Sequence, residues 1–215
     1  MLHVIGPIDF AIYLPRVWTR APSTYESIPS VRIVTGTLRG RRIASGRLGN
    51  LRLTSSRLKE SIFAMLGPDL KGNHFLDLCA GSGQIGLEAL SRGAHVVFNE
   101  PDRRRYSILR SMLREWRVGA QMFDTRAEML IPRLHEEARS FNTIYLDPPY
   151  HVRHGGEPLS LALLGKMSIT PLLRADGLIL AQHQKELELP EQIGALQRLK
   201  AREYGNTRLS IYALS

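Results

Sequence analysis

The chain has 215 residues, of which 43% are hydrophobic and 23% are charged, and these values exclude a largely disordered, collagen-like or coiled-coil protein. Its 29 Lys and Arg residues outnumber its 20 Asp and Glu residues, and the formal net charge of +9 favours a polyanionic partner such as nucleic acid. Since the single cysteine, Cys79, rules out an internal disulfide and no apolar run approaches the roughly 20 residues of a membrane span, we expect a cytoplasmic protein.

Residues 1–30 differ in character from the rest of the chain. Four prolines break any regular element there, at Pro7, Pro15, Pro22 and Pro29, and the charged residues sum to zero. The segment has neither the basic start nor the small-residue cleavage site of a secretory signal. We therefore expect a disordered tail or a wrongly assigned start, with the native chain beginning at Val31.

The positive charge is concentrated between Val31 and Glu60. Eight basic residues stand there against Glu60 alone, namely Arg32, Arg39, Arg41, Arg42, Arg47, Arg52, Arg57 and Lys59. The glycines between them favour a short β-ribbon and loops that approach a phosphate backbone closely. The pattern predicts a basic arm that binds nucleic acid, and the alternative is a solvated basic loop.

Hydrophobic periodicity and turn signals predict alternating helices and strands in the rest of the chain. In chain order these are a helix over Ser56–Leu66, a strand over Phe75–Cys79, a helix from Ile85 to Arg92, a strand over Ala94–Asn99, a helix over Asp102–Trp116, a strand over Ala120–Phe123, a helix over Ala127–Ala138, a strand over Thr143–Leu146, a mostly helical stretch over Leu159–Leu173, and strands over Leu178–Ala181, Leu199–Tyr204 and Thr207–Leu214. The alternation implies an α/β fold whose parallel sheet has helices on both faces, and Gly205-Asn206 predicts a terminal antiparallel hairpin. We divide the chain into the tail, an arm with its helix over residues 31–66, and an α/β domain over residues 67–215.

A glycine-rich turn follows the first predicted strand of the domain. The run from Gly81 to Gly86 matches G-x-G-x-x-G, and Glu100 stands 19 residues beyond Gly81 at the end of the next strand. Glycines allow a tight turn and close approach of a ligand, and a carboxylate one strand over can accept ribose hydroxyls. The pattern predicts an adenosine cofactor, either a dinucleotide or S-adenosylmethionine (SAM), and the alternative is a turn that only packs. Asp77, inside the strand, is a candidate to orient the loop or bind the cofactor.

The tetrapeptide Asp147-Pro148-Pro149-Tyr150 follows a later strand and is the most informative feature of the sequence. Neither proline has a backbone N–H, so the stiff loop offers carbonyl and carboxylate acceptors with few donors. Such a loop suits a planar exocyclic amine, and Tyr150 adds a surface on which a base can stack. Hydrogen bonds from the amine would strengthen as positive charge develops on nitrogen during methyl transfer. The chemistry needs no metal, and His151 and His154 lack a third ligand.

These residues together resemble those of the RsmD-type 16S ribosomal RNA guanine-N2 methyltransferases, from Val31 to the end of the chain. The matching segments are Arg32–Gly36, Arg39–Arg41, Arg52–Thr54 with Arg57, Glu60 and Phe63, then Leu76–Gly83, Gly86–Gly93, Glu100, Asp147–Tyr150 and Tyr204-Gly205. The glycine turn and D-P-P-Y occur in other methyltransferases, whereas their combination with the basic arm is more specific. The resemblance implies a Rossmann-like SAM-dependent methyltransferase fold with a mostly parallel seven-stranded sheet, a terminal antiparallel hairpin and a basic N-terminal extension.

The resemblance also implies roles for particular residues. Transfer from SAM to the N2 amine of a guanine in 16S rRNA would depend on Asp147, Pro148, Pro149 and Tyr150. The cofactor would be held by Asp77, Ala80, Gly81, Ser82, Gly83, Gly86, Glu100, Asp124, Arg126 and Ala127. The rRNA, free or in an assembled small subunit, would be bound by Arg32, Arg39, Arg41, Arg42, Arg52, Thr54 and Arg57. We expect no metal site and a monomer.

This chain departs from the family pattern at four positions. Leu53 stands where the family usually has Pro, Ser56 where it has Asp, and Gln182 where it has Glu. Arg126 stands where Asp or Asn usually meets the adenine amine, so adenine would be recognised by Asp124 or by backbone groups around Ala127. Three alternative functions remain at this point, namely amino-methylation of another nucleic-acid amine such as adenine N6, a nicotinamide-dependent dehydrogenase, and a non-catalytic RNA-binding relative.

Overall fold

The structure is a computed structural model that describes residues 31–43 and 54–215. The predicted tail over residues 1–30 therefore lies outside the described residues, as do Arg47 and Arg52 of the arm. No helix in the described part of the chain is long and apolar enough to cross a membrane.

Five helices and ten strands follow one another along the described chain, close to the predicted order. The helices are α1 Ser56–Leu66, α2 Gln84–Ser91, α3 Arg103–Trp116, α4 Ala127–Glu136 and α5 Leu159–Ile169. The strands are β1 His74–Asp77, β2 His95–Asn99, β3 Gln121–Phe123, β4 Phe141–Leu146, β5 Arg153–His154, β6 Glu157–Pro158, β7 Leu173–Gln184, β8 Gln192–Ile193, β9 Leu196–Tyr204 and β10 Thr207–Leu214.

The main sheet has eight strands in the order β3-β2-β1-β4-β7-β10-β9-β8. In this order, the neighbouring pairs β3-β2, β2-β1, β1-β4 and β4-β7 are parallel. The pairs β7-β10, β10-β9 and β9-β8 are antiparallel. This arrangement confirms the predicted α/β class and the terminal antiparallel hairpin. The eighth strand is the two-residue β8 at the edge, and β5 and β6 form a separate two-stranded hairpin.

Two boundaries differ from the predictions near the start of β7. The helix that begins at Leu159 ends at Ile169 rather than Leu173, because Pro171 disfavours a helical residue before it. Strand β7 then begins at Leu173, five residues before the predicted strand over Leu178–Ala181, and runs through Asp176-Gly177, a pair that is typical of turns. The pairing register of β7 with β4 shifts between the pairs Phe141–Leu173 and Thr143–Leu178, so Asp176-Gly177 lies in an irregular part of the strand.

Helices cover both faces of the sheet and enclose two apolar clusters. Residues of the arm, α1, α2 and α3 pack against one face, and residues of α4 and α5 pack against the other. The arm contributes Ile33, Leu38 and Ile43 to the first cluster, so this part of its backbone is held against the domain. The described arginines Arg32, Arg39, Arg41 and Arg42 are exposed.

A buried carboxylate holds the arm against α2. Glu88 accepts hydrogen bonds from the backbone N–H groups of Val34 (2.8 Å) and Thr35 (3.0 Å), and its side chain lies 3.7 Å from Lys59 Nζ and 3.0 Å from Arg92 Nη2. Both Glu88 and Lys59 are buried. The predicted β-ribbon is reduced to one isolated antiparallel bridge in the described part of the arm. A few backbone hydrogen bonds join the two sides of the described arm, and hydrogen bonds to α2 attach it to the domain.

Candidate active site

A cavity of about 780 Å³ lies beyond the carboxyl ends of β1, β2 and β4. Parallel α/β sheets bind their ligands at this edge, where the strand order reverses. The cavity brings together the glycine turn and the D-P-P-Y loop, which are more than sixty positions apart in the sequence. The predicted site residues that line it are Thr54, Asp77, Ala80, Gly81, Ser82, Glu100, Arg126, Ala127, Asp147, Pro148, Pro149 and Tyr150.

Two glycines of the turn adopt backbone conformations that side chains disfavour. Gly81 has φ of 55° and Gly83 has φ of 75°, and Gly83 is the N-cap residue of α2. Gly86 is needed for a different reason, because a Cβ there would lie 2.2 Å from Phe98 Cε1. Gly83 and Gly86 do not line the cavity, so they shape the turn and its packing rather than face a ligand.

Glu100 joins the two loops that form the cofactor side of the cavity. Its Oε2 accepts from the Gly81 N–H at 2.7 Å and its Oε1 accepts from the Asp102 N–H at 2.9 Å, while Arg105 Nη1 lies 3.5 Å away. A carboxylate oxygen has two lone-pair directions, so each oxygen can still accept a hydroxyl. Burial raises the pKa of Glu100, and the two backbone N–H groups and Arg105 oppose that shift.

Asp77 is fully buried at the base of the same cavity. Its Oδ2 accepts from the Gly86 N–H at 3.0 Å, and its Oδ1 has no hydrogen-bond partner among the described residues. Burial raises the pKa of Asp77 from 3.8 to about 8, with a smaller contribution from the nearby negative charge of Asp147. Without a ligand this carboxyl is protonated below about pH 8, and a cationic donor on a ligand would favour the ionised form, whose unpartnered Oδ1 can accept from it.

The raised pKa of Asp77 gives a pH-dependent stability. Because the folded pKa of about 8 exceeds the unfolded value of 3.8, the contribution is fully present below pH 3.8 and is lost as the pH rises towards 8. Relative to Asp77→Asn, the wild-type protein without cofactor should therefore lose thermal stability progressively across this window. Thermal melts of both proteins at matched pH values measure the difference. A constant difference from pH 4 to pH 8 would contradict the assigned protonation.

The D-P-P-Y loop follows β4 on the other side of the cavity. Pro148 is buried, Pro149 is exposed, and Asp147 and Tyr150 are half-buried. The hydroxyl of Tyr150 lies 3.4 Å from Thr207 Oγ1 at the start of β10. The terminal hairpin therefore contacts this loop, which is a relation that the sequence motif alone does not predict.

A buried tyrosine on β4 connects three parts of the chain at this end of the cavity. The hydroxyl of Tyr145 donates to Gln182 Oε1 at 2.5 Å, and its side chain also hydrogen-bonds with Thr54. Burial raises the pKa of Tyr145 well above its usual value, so the neutral hydroxyl is the relevant form. Gln182 provides a carbonyl oxygen to this tyrosine. Thr54, which we predicted as an RNA contact, lines the cavity itself.

Only some of the adenine-binding residues expected near α4 line the cavity. Arg126 is exposed at the N-cap of α4 and lines the cavity together with Ala127. Asp124 is also exposed, but it does not line this cavity. The geometry therefore favours Arg126 and the backbone near Ala127 over Asp124.

The predicted RNA-binding arginines in the described part of the chain do not line the cavity. Arg32, Arg39, Arg41, Arg42 and Arg57 are all exposed. The arm is held by Glu88 and Ser91 in the second half of α2, whereas the first turn of that helix meets the cavity. Arg41 also lies over the Trp116 ring at 5.9 Å, at the last residue of α3. The described arm arginines are therefore exposed near the second half of α2 and the end of α3 rather than in the cavity.

Several residues of the cavity were not expected from the sequence. Asn99 lines it with a buried Oδ1 that has no hydrogen-bond partner in the described part of the chain. Arg105 also lines it and is the third residue of the basic run Arg103-Arg104-Arg105, which the sequence does not distinguish from a solvated helix face. His154 lies 3.7 Å from Glu128, and residues 31–43 and 54–215 contain no group of three residues placed to bind a metal.

Comparisons with known proteins agree with this geometry. A family model described as Conserved hypothetical protein 95 matches residues 31–213. The chain is 37% identical over 185 residues to YlbH of Bacillus subtilis, which is named as a proposed rRNA methyltransferase, and the match covers 85% of this chain and 98% of that protein. It is 33% identical over 134 residues to the ribosomal RNA small subunit methyltransferase D of Haemophilus influenzae, covering 61% of this chain and 69% of that one.

One similar structure contains both a cofactor and a nucleoside. The Thermus thermophilus 16S rRNA N2 G1207 methyltransferase RsmC, in complex with AdoMet and guanosine, superposes with a TM-score of 0.64 at 26% identity. The match covers 86% of this chain and 50% of that chain. The fold, the motifs and the family match all confirm the resemblance seen in the sequence. The chain therefore belongs to the Conserved hypothetical protein 95 family, that of the RsmD-type SAM-dependent rRNA methyltransferases.

Proposed function

We propose that this protein transfers a methyl group from SAM to the N2 amine of a guanine in 16S ribosomal RNA. The observation that carries the proposal is the single cavity in which the acceptor loop of Asp147 to Tyr150 meets the glycine turn and Glu100. The names of the Haemophilus influenzae and Thermus thermophilus relatives support the rRNA target and the guanine N2 position, respectively.

The residues of the cofactor side fit SAM by the chemistry of their donors and acceptors. Glu100 offers two oriented carboxylate oxygens for ribose hydroxyls. The positive amino group of SAM would favour the ionised form of Asp77, whose Oδ1 has no other partner in the described chain and could accept from it. Arg126 and the backbone near Ala127 are placed for the adenine end. When bound, SAM supplies an electrophilic methyl group on a sulfonium centre.

The acceptor loop prepares the nucleophile. An exocyclic amine is a weak nucleophile because its lone pair is delocalised into the base, and its two N–H groups need acceptors when it leaves water. The carboxylate of Asp147 and the carbonyl of Pro148 are suited to accept them. These hydrogen bonds favour a more pyramidal nitrogen and strengthen as the nitrogen becomes positive, so they stabilise the transition state more than the bound substrate.

Tyr150 positions the base in this scheme. Its ring provides a flat surface for stacking, and its hydroxyl is near Thr207, which limits the directions the ring can take. Most of the rate acceleration would come from holding the amine in line with the transferred methyl group.

The experiment that tests the proposal is methyl transfer from labelled SAM to unmodified 16S rRNA and to assembled small subunits, followed by nucleoside analysis. The expected product is N2-methylguanosine, and comparison of the two substrates shows which form is preferred. Methyladenosine would reassign the protein to adenine N6 methylation. RNA binding without transfer to either substrate would overturn the proposal in favour of a non-catalytic protein.

A further inference from the structure

The terminal hairpin carries two basic residues on the same side of the sheet as α1. In the antiparallel ladder of β9 and β10, Arg202 lies opposite Leu209 and Lys200 lies opposite Ile211. Residues directly opposite one another project from the same face. Leu209 and Ile211 are buried in the cluster that contains α1, whereas Lys200 and Arg202 are exposed. The two basic side chains therefore extend the surface beside α1.

The basic residues on the other side of this hairpin are already neutralised. Arg208 donates to Glu188 at 2.5 Å and to Glu203 at 2.8 Å. Arg198 lies 3.5 Å from Glu191 and donates to the Leu189 carbonyl. By contrast, Lys200 and Arg202 have no ion pair with any carboxylate of the described residues. Their charge is available to an external anion.

The turn of the hairpin lies beside the D-P-P-Y loop, and hydrogen bonds hold it there. The hydroxyl of Thr207, next to the turn, lies 3.4 Å from the Tyr150 hydroxyl of that loop. The Lys185 N–H, just after β7, donates to the Asn206 carbonyl at 3.2 Å. The hydroxyls of Tyr204 and Ser61 form a hydrogen bond between the hairpin and α1. Given a rise of about 3.4 Å per residue, Arg202 and Lys200 lie roughly 7 and 14 Å along β9 from Tyr204.

We propose that Lys200 and Arg202 form a phosphate-binding strip for the RNA segment that adjoins the target nucleotide. This inference rests on the proposed function for the identity of its ligand. The strip starts beside the D-P-P-Y loop, its two cations have no ion-pair partners in the described chain, and its spacing follows an extended strand. It adds positive charge near the cavity, which Arg32, Arg39, Arg41 and Arg42 of the described part of the arm do not line.

The test compares two double variants that lower the net charge equally. Lys200→Ala with Arg202→Ala removes the strip, while Arg139→Ala with Lys166→Ala removes two cations without an ion pair in the described chain, one just after α4 and one on α5. The affinity for a 16S rRNA transcript is measured against KCl concentration without SAM, and thermal melts confirm that each variant is folded. Two lost phosphate contacts should lower the slope of log K against log salt by about 1.4 and weaken binding on the order of tenfold near 0.1 M salt.

The outcomes separate this inference from its alternatives. An unchanged slope in the strip variant, or an equal loss in the control variant, overturns it. Self-association of the strip variant with unchanged RNA affinity also overturns it, since the charges would then only protect the exposed edge of β9 from pairing. A strip-dependent affinity in a protein that transfers no methyl group would support the strip while refuting the proposed reaction.

Discussion

Asp147→Ala is expected to lower the rate of methyl transfer by about a thousandfold while leaving the affinity for SAM little changed. Removing one group that stabilises developing charge in a preorganised site typically costs about 10²–10³ in rate. Asp147 lines the substrate end of the cavity, whereas the cofactor contacts are assigned to Glu100, Asp77 and the glycine turn. Single-turnover rates with 16S rRNA and calorimetric titration with SAM measure the two quantities separately.

Asp147→Asn is the matched control for this variant. The amide retains one acceptor oxygen and nearly the same shape but loses the negative charge, so its rate should lie between those of the wild type and the alanine variant. A wild-type rate in Asp147→Ala would remove Asp147 from the mechanism. A large loss of SAM affinity in either variant would move its role to the cofactor side.

Glu88→Ala is expected to destabilise the protein by about 3–5 kcal/mol, which corresponds to a fall in Tm of roughly 6–20 °C for a chain of this size. The substitution leaves Lys59 buried without its carboxylate, since Glu88 and Lys59 are 0% and 5% exposed. It also removes the acceptors for the N–H groups of Val34 and Thr35, so the arm should detach more readily. Differential scanning calorimetry measures the first effect, and tryptic cleavage at Arg39 and Arg41 measures the second.

Glu88→Gln separates charge from hydrogen bonding at this site. The amide oxygen can accept from one backbone N–H but cannot neutralise Lys59, so an intermediate Tm is expected. If the alanine variant melts within about 2 °C of the wild type, the buried network does not stabilise the fold as described. If Tm falls without faster tryptic cleavage, the arm is held by its apolar residues instead.

Much of the fold was predictable because its signals are local. The alternation of helices and strands follows from periodicity over short windows, and most element boundaries fall within a few residues of the predictions. The two-residue strands β5, β6 and β8 are too short to show any period. The irregularity in β7 depends on pairing with β4, so Asp176-Gly177 has the same local signature as a true turn.

The candidate site was predictable in its motifs and less so in its connections. The glycine turn, Glu100 and D-P-P-Y are contiguous sequence patterns that follow strands, and a parallel sheet brings such positions to one edge. The Tyr145 to Gln182 hydrogen bond joins residues 37 positions apart, and its register is set by the β4 and β7 pairing. The position of the arm depends on hydrogen bonds from its backbone to Glu88, which the sequence does not distinguish from a solvent-exposed glutamate of a helix.

The position of β10 makes completion of the active site depend on the whole sheet. Although it follows β9 in sequence, β10 lies between β7 and β9, and the ladder of β9 with β10 connects the outer two strands to the rest of the sheet. A folding intermediate that lacks this strand would have an interior gap rather than a frayed edge, and Tyr150 would lack its contact with Thr207. Substrate-binding competence should therefore appear late and cooperatively in refolding, after the parallel half of the sheet has already formed.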